Sequence, residues 1–141
     1  MTIVDTSFLI ALQDADDHFH AEAKETPLYG DALLIPWEIW VEYSQALLRR
    51  LPARIAEVQM SNILSGPFQI RAFLSAPDLV EIARRHPAIQ ERIRKMGRKP
   101  LSLFDLAVLF VAAQRRDSIL TFDEGIRAAV RAKMFPGARI A

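Results

Sequence analysis

Short apolar runs alternate with longer segments of helical periodicity along the whole chain, and this alternation restricts the possible folds more than any other feature. Five runs have the length and composition of strands: "TIV", "ALLIP", "FQIRAFL", "SILTF" and a last one around "ARIA". Strands that alternate with helices are joined by crossover connections, so they pair in parallel and carry helices on both faces. The pattern predicts an α/β fold with three α/β/α layers around a short central parallel sheet of about five strands.

The length of 141 residues, without a repeat or a long linker, predicts a single domain over residues 1–141. The chain contains no cysteine, which excludes disulfides, thiolate zinc sites and cysteine nucleophiles. No basic segment precedes Asp5, and every apolar run is shorter than the roughly 20 residues that cross a bilayer. We therefore expect a soluble, cytoplasmic protein with no membrane partner.

Carboxylates follow or flank the predicted strands at positions far apart in the sequence. Asp5 follows the first strand and Asp123 follows the fourth, while Asp105 lies near the start of the helix that leads into the fourth strand. Glu38 and Glu42 lie in the first two turns of the helix that leaves the second strand. Because all these points lie at the carboxyl edge of a parallel sheet, we expect the acids to converge there.

Each acid taken alone has a structural explanation. Asp5 and Asp123 are good N-caps, and Ser102 with Asp105 has the spacing of a capping box. As a set, however, the acids repel one another. Two carboxylates about 6 Å apart repel by about 3 kcal/mol at an effective dielectric near 20. Such a cluster takes up protons or binds a hard divalent cation, which would explain why Asp105 lies in the apolar segment "LSLFDLAVLFVAA".

Four segments together resemble the signature segments of PIN domains, in particular the short VapC-type toxins of toxin–antitoxin pairs. They are "IVDTSFLIAL", "IPWEIWVEYSQALL", "LSLFDLAVLFVAA" and "ILTFDEGI", and the resemblance extends from residue 3 to about 127. It implies that the catalytic, metal-binding acids are Asp5, Glu42, Asp105 and Asp123. Thr121 resembles the supporting hydroxyl residue before the last acid, and Glu38 remains an alternative to Glu42.

The resemblance also implies an activity and partners. PIN domains of this group are Mg²⁺- or Mn²⁺-dependent endoribonucleases, so it implies hydrolysis of phosphodiester bonds in an RNA substrate. It further implies a type II toxin, a cognate antitoxin protein and a homodimer. Apolar and aromatic side chains in the first half of the chain are expected to form a groove for an antitoxin segment, namely Phe8, Leu9, Trp37 and Tyr43.

A basic stretch separates the two halves of the predicted site. Seven of the 18 basic residues fall within it: Arg84, Arg85, Arg92, Arg94, Lys95, Arg98 and Lys99. A helix is predicted to start at Pro77 and to end near Arg85, because His86-Pro87 follows. The stretch is either a solvated helix face or a surface that guides the RNA backbone, and both interpretations stay open.

Two further hypotheses compete with the nuclease. A PIN-like module that has lost catalysis would bind RNA or protein only, but its decay would be expected to remove some of the acids. A phosphate-accepting receiver domain would need adjacent acids after the first strand and a late lysine, whereas "VDTS" supplies one acid. Trp37 and Trp40 could stack on RNA bases, but their helical spacing favours core packing.

Overall fold

The computed structural model describes all residues from 1 to 141 and has the predicted alternation of strands and helices. The strands are β1 (Thr2–Val4), β2 (Leu33–Pro36), β3 (Phe68–Arg71), β4 (Ser118–Leu120) and β5 (Arg139–Ile140). The helices are α1 (Thr6–Gln13), α2 (His20–Glu25), α3 (Trp37–Arg50), α4 (Ala53–Leu64), α5 (Ala76–Lys95), α6 (Leu103–Arg115) and α7 (Glu124–Arg131). No helix combines the length and the hydropathy that a bilayer crossing requires.

The sheet is entirely parallel, with the strand order β3-β2-β1-β4-β5. Strand β1 is central, and its Ile3 pairs with Leu34 of β2 on one side and Ile119 of β4 on the other. The chain moves outward from β1 in one direction through β2 and in the other through β4 and β5. In parallel sheets ligands bind in the crevice where this direction reverses, outside the carboxyl ends of the strands. Here that crevice lies between the ends of β1 and β4. The prediction of three α/β/α layers around a parallel sheet of about five strands is confirmed.

Helix α6 is the most deeply buried helix of the core. Its residues from Leu106 to Ala112 are all buried, because the helix packs between the sheet and the helices α3, α5 and α7. Such an all-round apolar helix is typical of a core position. Asp105 is therefore held at the open end of an element that packing fixes on every side.

Helix α5 continues through Pro87, so the prediction that it ends near Arg85 is wrong. A proline inside a helix costs about 3 kcal/mol through the lost hydrogen bond and the steric clash. Three isoleucines on one face, Ile82, Ile89 and Ile93, are buried along the whole length of the helix. Each buried isoleucine contributes about 1.5–3 kcal/mol, which offsets the cost of the proline.

Helix α3 is buried on a different face from the one expected for its tryptophans. Trp40 is 9% exposed, as predicted, whereas Trp37 is 53% exposed, so its predicted core position is wrong. The buried residues are Ile39, Trp40, Tyr43 and Leu47, and Trp37 lies outside this stripe with Val41 and Leu48. The predicted antitoxin groove is wrong as well, because Phe8, Leu9 and Tyr43 are fully buried in the core.

Candidate active site

Asp5 is a buried carboxylate at the carboxyl end of β1. Its Oδ1 accepts a hydrogen bond from the backbone N–H of Phe8 at 3.1 Å, and it is therefore the N-cap of α1. Ser7 Oγ donates to Oδ1 at 2.8 Å, and Thr121 Oγ1 donates to Oδ2 at 2.6 Å. The pKa of Asp5 is raised to about 7, chiefly by burial and to a smaller extent by the charge of Asp123, although these three hydrogen bonds lower it.

A pair of hydroxyl groups joins the ends of β1 and β4. Ser7 Oγ accepts from the backbone N–H of Phe122 at 2.9 Å and lies 3.3 Å from Thr121 Oγ1. Thr121 Oγ1 in turn accepts from the backbone N–H of Asp123 at 2.9 Å. Sequence reasoning named Thr121 but missed Ser7, although the hydroxyl two residues after Asp5 in "VDTS" was a usable signal.

Asp123 follows β4 and begins the helix on the other side of the crevice. Its Oδ1 accepts from the backbone N–H of Ile126 at 2.8 Å, so Asp123 is the N-cap of α7. The next turn carries Gly125, where a Cβ atom would lie 3.1 Å from Asp123 Oδ1 and 3.0 Å from Leu101 Cδ2. Glycine at this position leaves room around the carboxylate and lets the start of α7 approach Leu101 closely.

Asp105 makes the capping box that its spacing from Ser102 predicts. Its Oδ2 accepts from the backbone N–H of Ser102 at 3.0 Å, and its own N–H donates to Ser102 Oγ at 3.1 Å. Burial raises the pKa of Asp105, and the negative charge of Asp123 raises it further. The side chain therefore caps α6 and at the same time lies within electrostatic reach of a second carboxylate.

The two glutamates of α3 differ in their surroundings. Glu42 accepts a hydrogen bond from the hydroxyl of Thr6, and its pKa is raised by burial and then by the charges of Asp105 and Asp123. Glu38 lies one turn earlier and has a buried Oε2 atom without a hydrogen-bond partner. The charges of two other acids thus act on Glu42, which favours it over Glu38, and the choice between the two glutamates stays a prediction.

The donors at this edge are all oxygen atoms of carboxylates and hydroxyls, which is the chemistry that hard divalent cations prefer. Three of the four carboxyl groups have raised pKa values, so their negative charge lacks a compensating partner. The side chains do not form a ready-made metal-binding group of three or more. Each of them is instead hydrogen-bonded to a nearby hydroxyl or backbone N–H. The donor set fits a divalent ion, and the prediction that the acids share one stays a prediction.

An open cleft of about 460 Å³ is lined by two of the four acids, Asp105 and Asp123, together with Glu124 and Gly125. The loop between α5 and α6 contributes residues 97–101 to the same lining, and they include Arg98 and Lys99. Carboxylates and cations therefore share one cleft without being paired to each other.

Three solved structures are similar in fold to this chain. The VapC20 toxin of Mycobacterium tuberculosis, described as cleaving the sarcin–ricin loop, is 24% identical, with a TM-score of 0.65 over 92% of this chain and 95% of that one. The Rickettsia felis VapBC2 structure, described as bound to a DNA fragment from their promoter, matches at 12% identity and a TM-score of 0.66, covering 99% and 96%. A protein of Pyrobaculum aerophilum matches at 22% identity and a TM-score of 0.56, covering 90% and 82%.

The curated protein sequences include no match to this chain. The family model described as PIN domain, by contrast, matches residues 2–132, almost the full length. That span contains the four predicted site acids and the strands β1 to β4. The chain therefore belongs to the PIN domain family.

Proposed function

We propose that this protein is a metal-dependent endoribonuclease that hydrolyses phosphodiester bonds of RNA and is the toxin of a type II toxin–antitoxin system. The observation that carries the proposal is the group of four acids, Asp5, Glu42, Asp105 and Asp123, in which the charge of Asp123 acts on each of the other three. Membership of the PIN domain family supports nuclease chemistry, and the description of VapC20 as cleaving the sarcin–ricin loop supports RNA as the substrate class.

The four acids would hold Mg²⁺ or Mn²⁺, with Glu38 as the alternative to Glu42. When bound, such an ion lowers the pKa of a water and offsets negative charge on the scissile phosphate. Ser7 and Thr121 both donate to Asp5, so they hold its carboxylate in one orientation. Their hydroxyl hydrogens are committed to Asp5, which favours a positioning role for both residues over attack on phosphorus.

Total bacterial RNA incubated with the purified protein and Mn²⁺ tests this proposal. We expect cleavage by the wild type and a loss of at least about 100-fold in Asp5→Asn and Asp105→Asn, because each variant removes a metal ligand. Asparagine caps helices as well as aspartate does, so both variants are expected to fold. Asp16→Asn is the matched control, since Asp16 is exposed and lies outside the site.

Intact RNA after incubation of the wild type with either metal would contradict the proposal. RNA binding without cleavage under those conditions would instead identify the alternative, a catalytically inactive PIN-like module that binds RNA or protein. The presence of all four acids in the sequence favours the enzyme over this alternative.

A cognate antitoxin, a homodimer and a cytoplasmic location complete the proposal. The VapBC2 structure, described as bound to promoter DNA, supports an antitoxin partner. The outer face of α3 is an exposed apolar surface, formed by Trp37, Val41 and Leu48, that a partner chain could cover. Co-expression with the product of a neighbouring small open reading frame, followed by co-purification, tests the antitoxin directly.

A further inference from the structure

We propose that the loop of residues 97–101, between α5 and α6, is a phosphate-binding arm, in which Arg98 and Lys99 hold the RNA backbone next to the acids. The ligand class is the phosphodiester backbone of an RNA strand, and the two cations are positioning residues. This inference rests on the proposed function and deepens it, because it reduces a basic stretch of seven residues to two that meet the substrate.

The remaining cations of the stretch are engaged elsewhere on α5. Arg84 pairs with Glu81, one turn away on the same helix. Arg94 makes a two-pronged contact with Glu91, at 2.7 and 3.0 Å, and Lys95 lies 4.0 Å from the same carboxylate. These three cations are neutralised locally on an exposed helix face, which is how a solvated helix behaves.

Two more cations are held by neighbouring elements. The guanidinium of Arg85 lies 5.4 Å from the ring centroid of Phe135, and Arg92 donates to a backbone carbonyl at the end of α7 at 3.4 Å. Arg98 and Lys99 are the cations of the stretch that make no ion pair, no side-chain hydrogen bond and no cation–π contact. The two free cations of the stretch are also the two that line the cleft beside the acids.

Arg98 and Lys99 are placed to contact a polyanion in the cleft rather than to form ion pairs with the acids. Arg98 and Lys99 share a cleft of about 460 Å³ with Asp105 and Asp123 but do not come within ion-pair distance of them. A strand of RNA approaching the acids alone would be repelled, because carboxylates and phosphates carry the same charge. Cations in the same cleft attract the flanking phosphates while the acids remain free for the scissile one.

The loop is fixed at both of its ends. It starts at Gly97, whose φ of +72° is a left-handed conformation that ends α5. It ends at Leu101, whose backbone N–H donates to Gln90 Oε1 at 3.0 Å and whose carbonyl accepts from Gln90 Nε2 at 2.8 Å. Leu101 is buried against the start of α7 near Gly125. Binding to this preformed arm therefore loses little backbone entropy.

The double variant Arg98→Ala/Lys99→Ala tests the arm, and Arg84→Ala/Lys95→Ala is the matched control, since it removes the same charge from the same stretch outside the cleft. Binding of a fluorescein-labelled single-stranded RNA of mixed sequence is followed by anisotropy at several salt concentrations without divalent metal. We expect the dissociation constant of the loop variant to rise roughly ten-fold and its salt slope to fall by about 1.4, because each phosphate contact on a single strand contributes about 0.7. The control keeps the wild-type slope.

Cleavage kinetics separate positioning from a purely structural effect. In the loop variant KM should rise while kcat stays within a factor of about three, and the melting temperature should not change, because exposed cations contribute little to stability. The exchange Arg98→Lys/Lys99→Arg, which keeps both charges, should restore most of the binding.

The possible outcomes distinguish this inference from the proposed function. If the wild type cleaves RNA and the loop variant keeps the wild-type KM and salt slope, residues 97–101 are not a phosphate-binding arm, and the proposed nuclease function is unaffected. If the wild type binds RNA without cleaving it, the salt slope still decides whether the arm exists. If the wild type neither binds nor cleaves RNA, the proposed function fails, and the arm fails with it.

Discussion

Asp5 is an N-cap, which favours the ionised carboxylate, and it is also buried, which favours the protonated carboxyl group. As an N-cap it must accept hydrogen bonds, and it receives them from Ser7, Phe8 and Thr121. As a side chain that is only 4% exposed it loses hydration, which is why its pKa rises to about 7 in spite of these donors. A cation at this position would remove the conflict, since it stabilises the ionised form.

The metal-free protein should lose stability as the pH rises from about 4 to about 8. The pKa of Asp5 is about 7 in the folded chain against 3.8 for the ordinary carboxyl, so the folded state binds more protons within this window. Its favourable contribution is complete below pH 4 and is lost as the pH passes 7, a change on the order of 4 kcal/mol at most. Thermal melts in chelator at pH 5 and pH 8 measure it, and Asp5→Asn should flatten the dependence. Equal pH profiles for the two proteins would exclude Asp5 as the cause.

Thr121→Val should weaken the site while keeping the volume of the side chain. The variant loses the hydroxyl that donates to Asp5 Oδ2 and accepts from the backbone N–H of Asp123, so each of these two groups loses a hydrogen bond. Unsatisfied buried groups cost about 1–3 kcal/mol each, and loss of a group that orients a metal ligand typically costs 10–100-fold in activity. RNA cleavage and melting temperature, with Thr121→Ser as the control that keeps the hydroxyl, check both effects. Wild-type cleavage by Thr121→Val would show that this hydroxyl does not orient the site.

Two residues cap the first turn of α6, and of these only Asp105 is also a proposed metal ligand, whereas Ser102 is not. Ser102→Ala removes half of the capping box but no carboxylate, so we expect a loss of about 1 kcal/mol in the free energy of unfolding with RNA cleavage retained. Asp105→Asn removes a charge repelled by Asp123, so its stability should change little while its cleavage is lost. Denaturant titrations combined with cleavage assays on both variants measure this contrast. Equal losses of activity in the two variants would mean that Asp105 serves only as a cap.

The elements that local sequence determines could be predicted, and those that depend on packing could not. Asp5 and Asp123 directly follow the apolar runs "TIV" and "SILTF", so their place near the carboxyl ends of β1 and β4 was predictable. The continuation of α5 through Pro87 was not, because it depends on isoleucines that become buried only when the helix meets the core.

Helix rotation limited the prediction of the site on α3. The periodicity of an amphipathic helix does not say which of two apolar stripes faces the sheet, and Trp37 was therefore assigned to the wrong one. The same uncertainty left Glu38 and Glu42 open, and only the contact of Glu42 with Thr6 and the influence of the other acids on its pKa distinguish them.

At the scale of the whole molecule, a net charge of +1 conceals a strong local separation of charge. The order of the sheet reverses at β1, so Asp5 and Asp123 lie at the crevice between β1 and β4, and the charge of Asp123 also acts on Glu42 and Asp105. The cleft that leads away from it carries the free cations of the α5–α6 loop. This separation of charge is what the proposed binding of a polyanion and of a divalent cation requires of a chain with near-neutral total charge.

Mn²⁺ anomalous diffraction from crystals soaked in the metal tests most directly whether the acids of this crevice share a divalent ion. We expect an anomalous peak that contacts Asp5 and at least one carboxylate from Asp105 or Asp123, and the peak should disappear in Asp105→Asn. Peaks confined to other parts of the surface, or none at a metal concentration that supports RNA cleavage, would contradict a metal centre at this edge of the sheet.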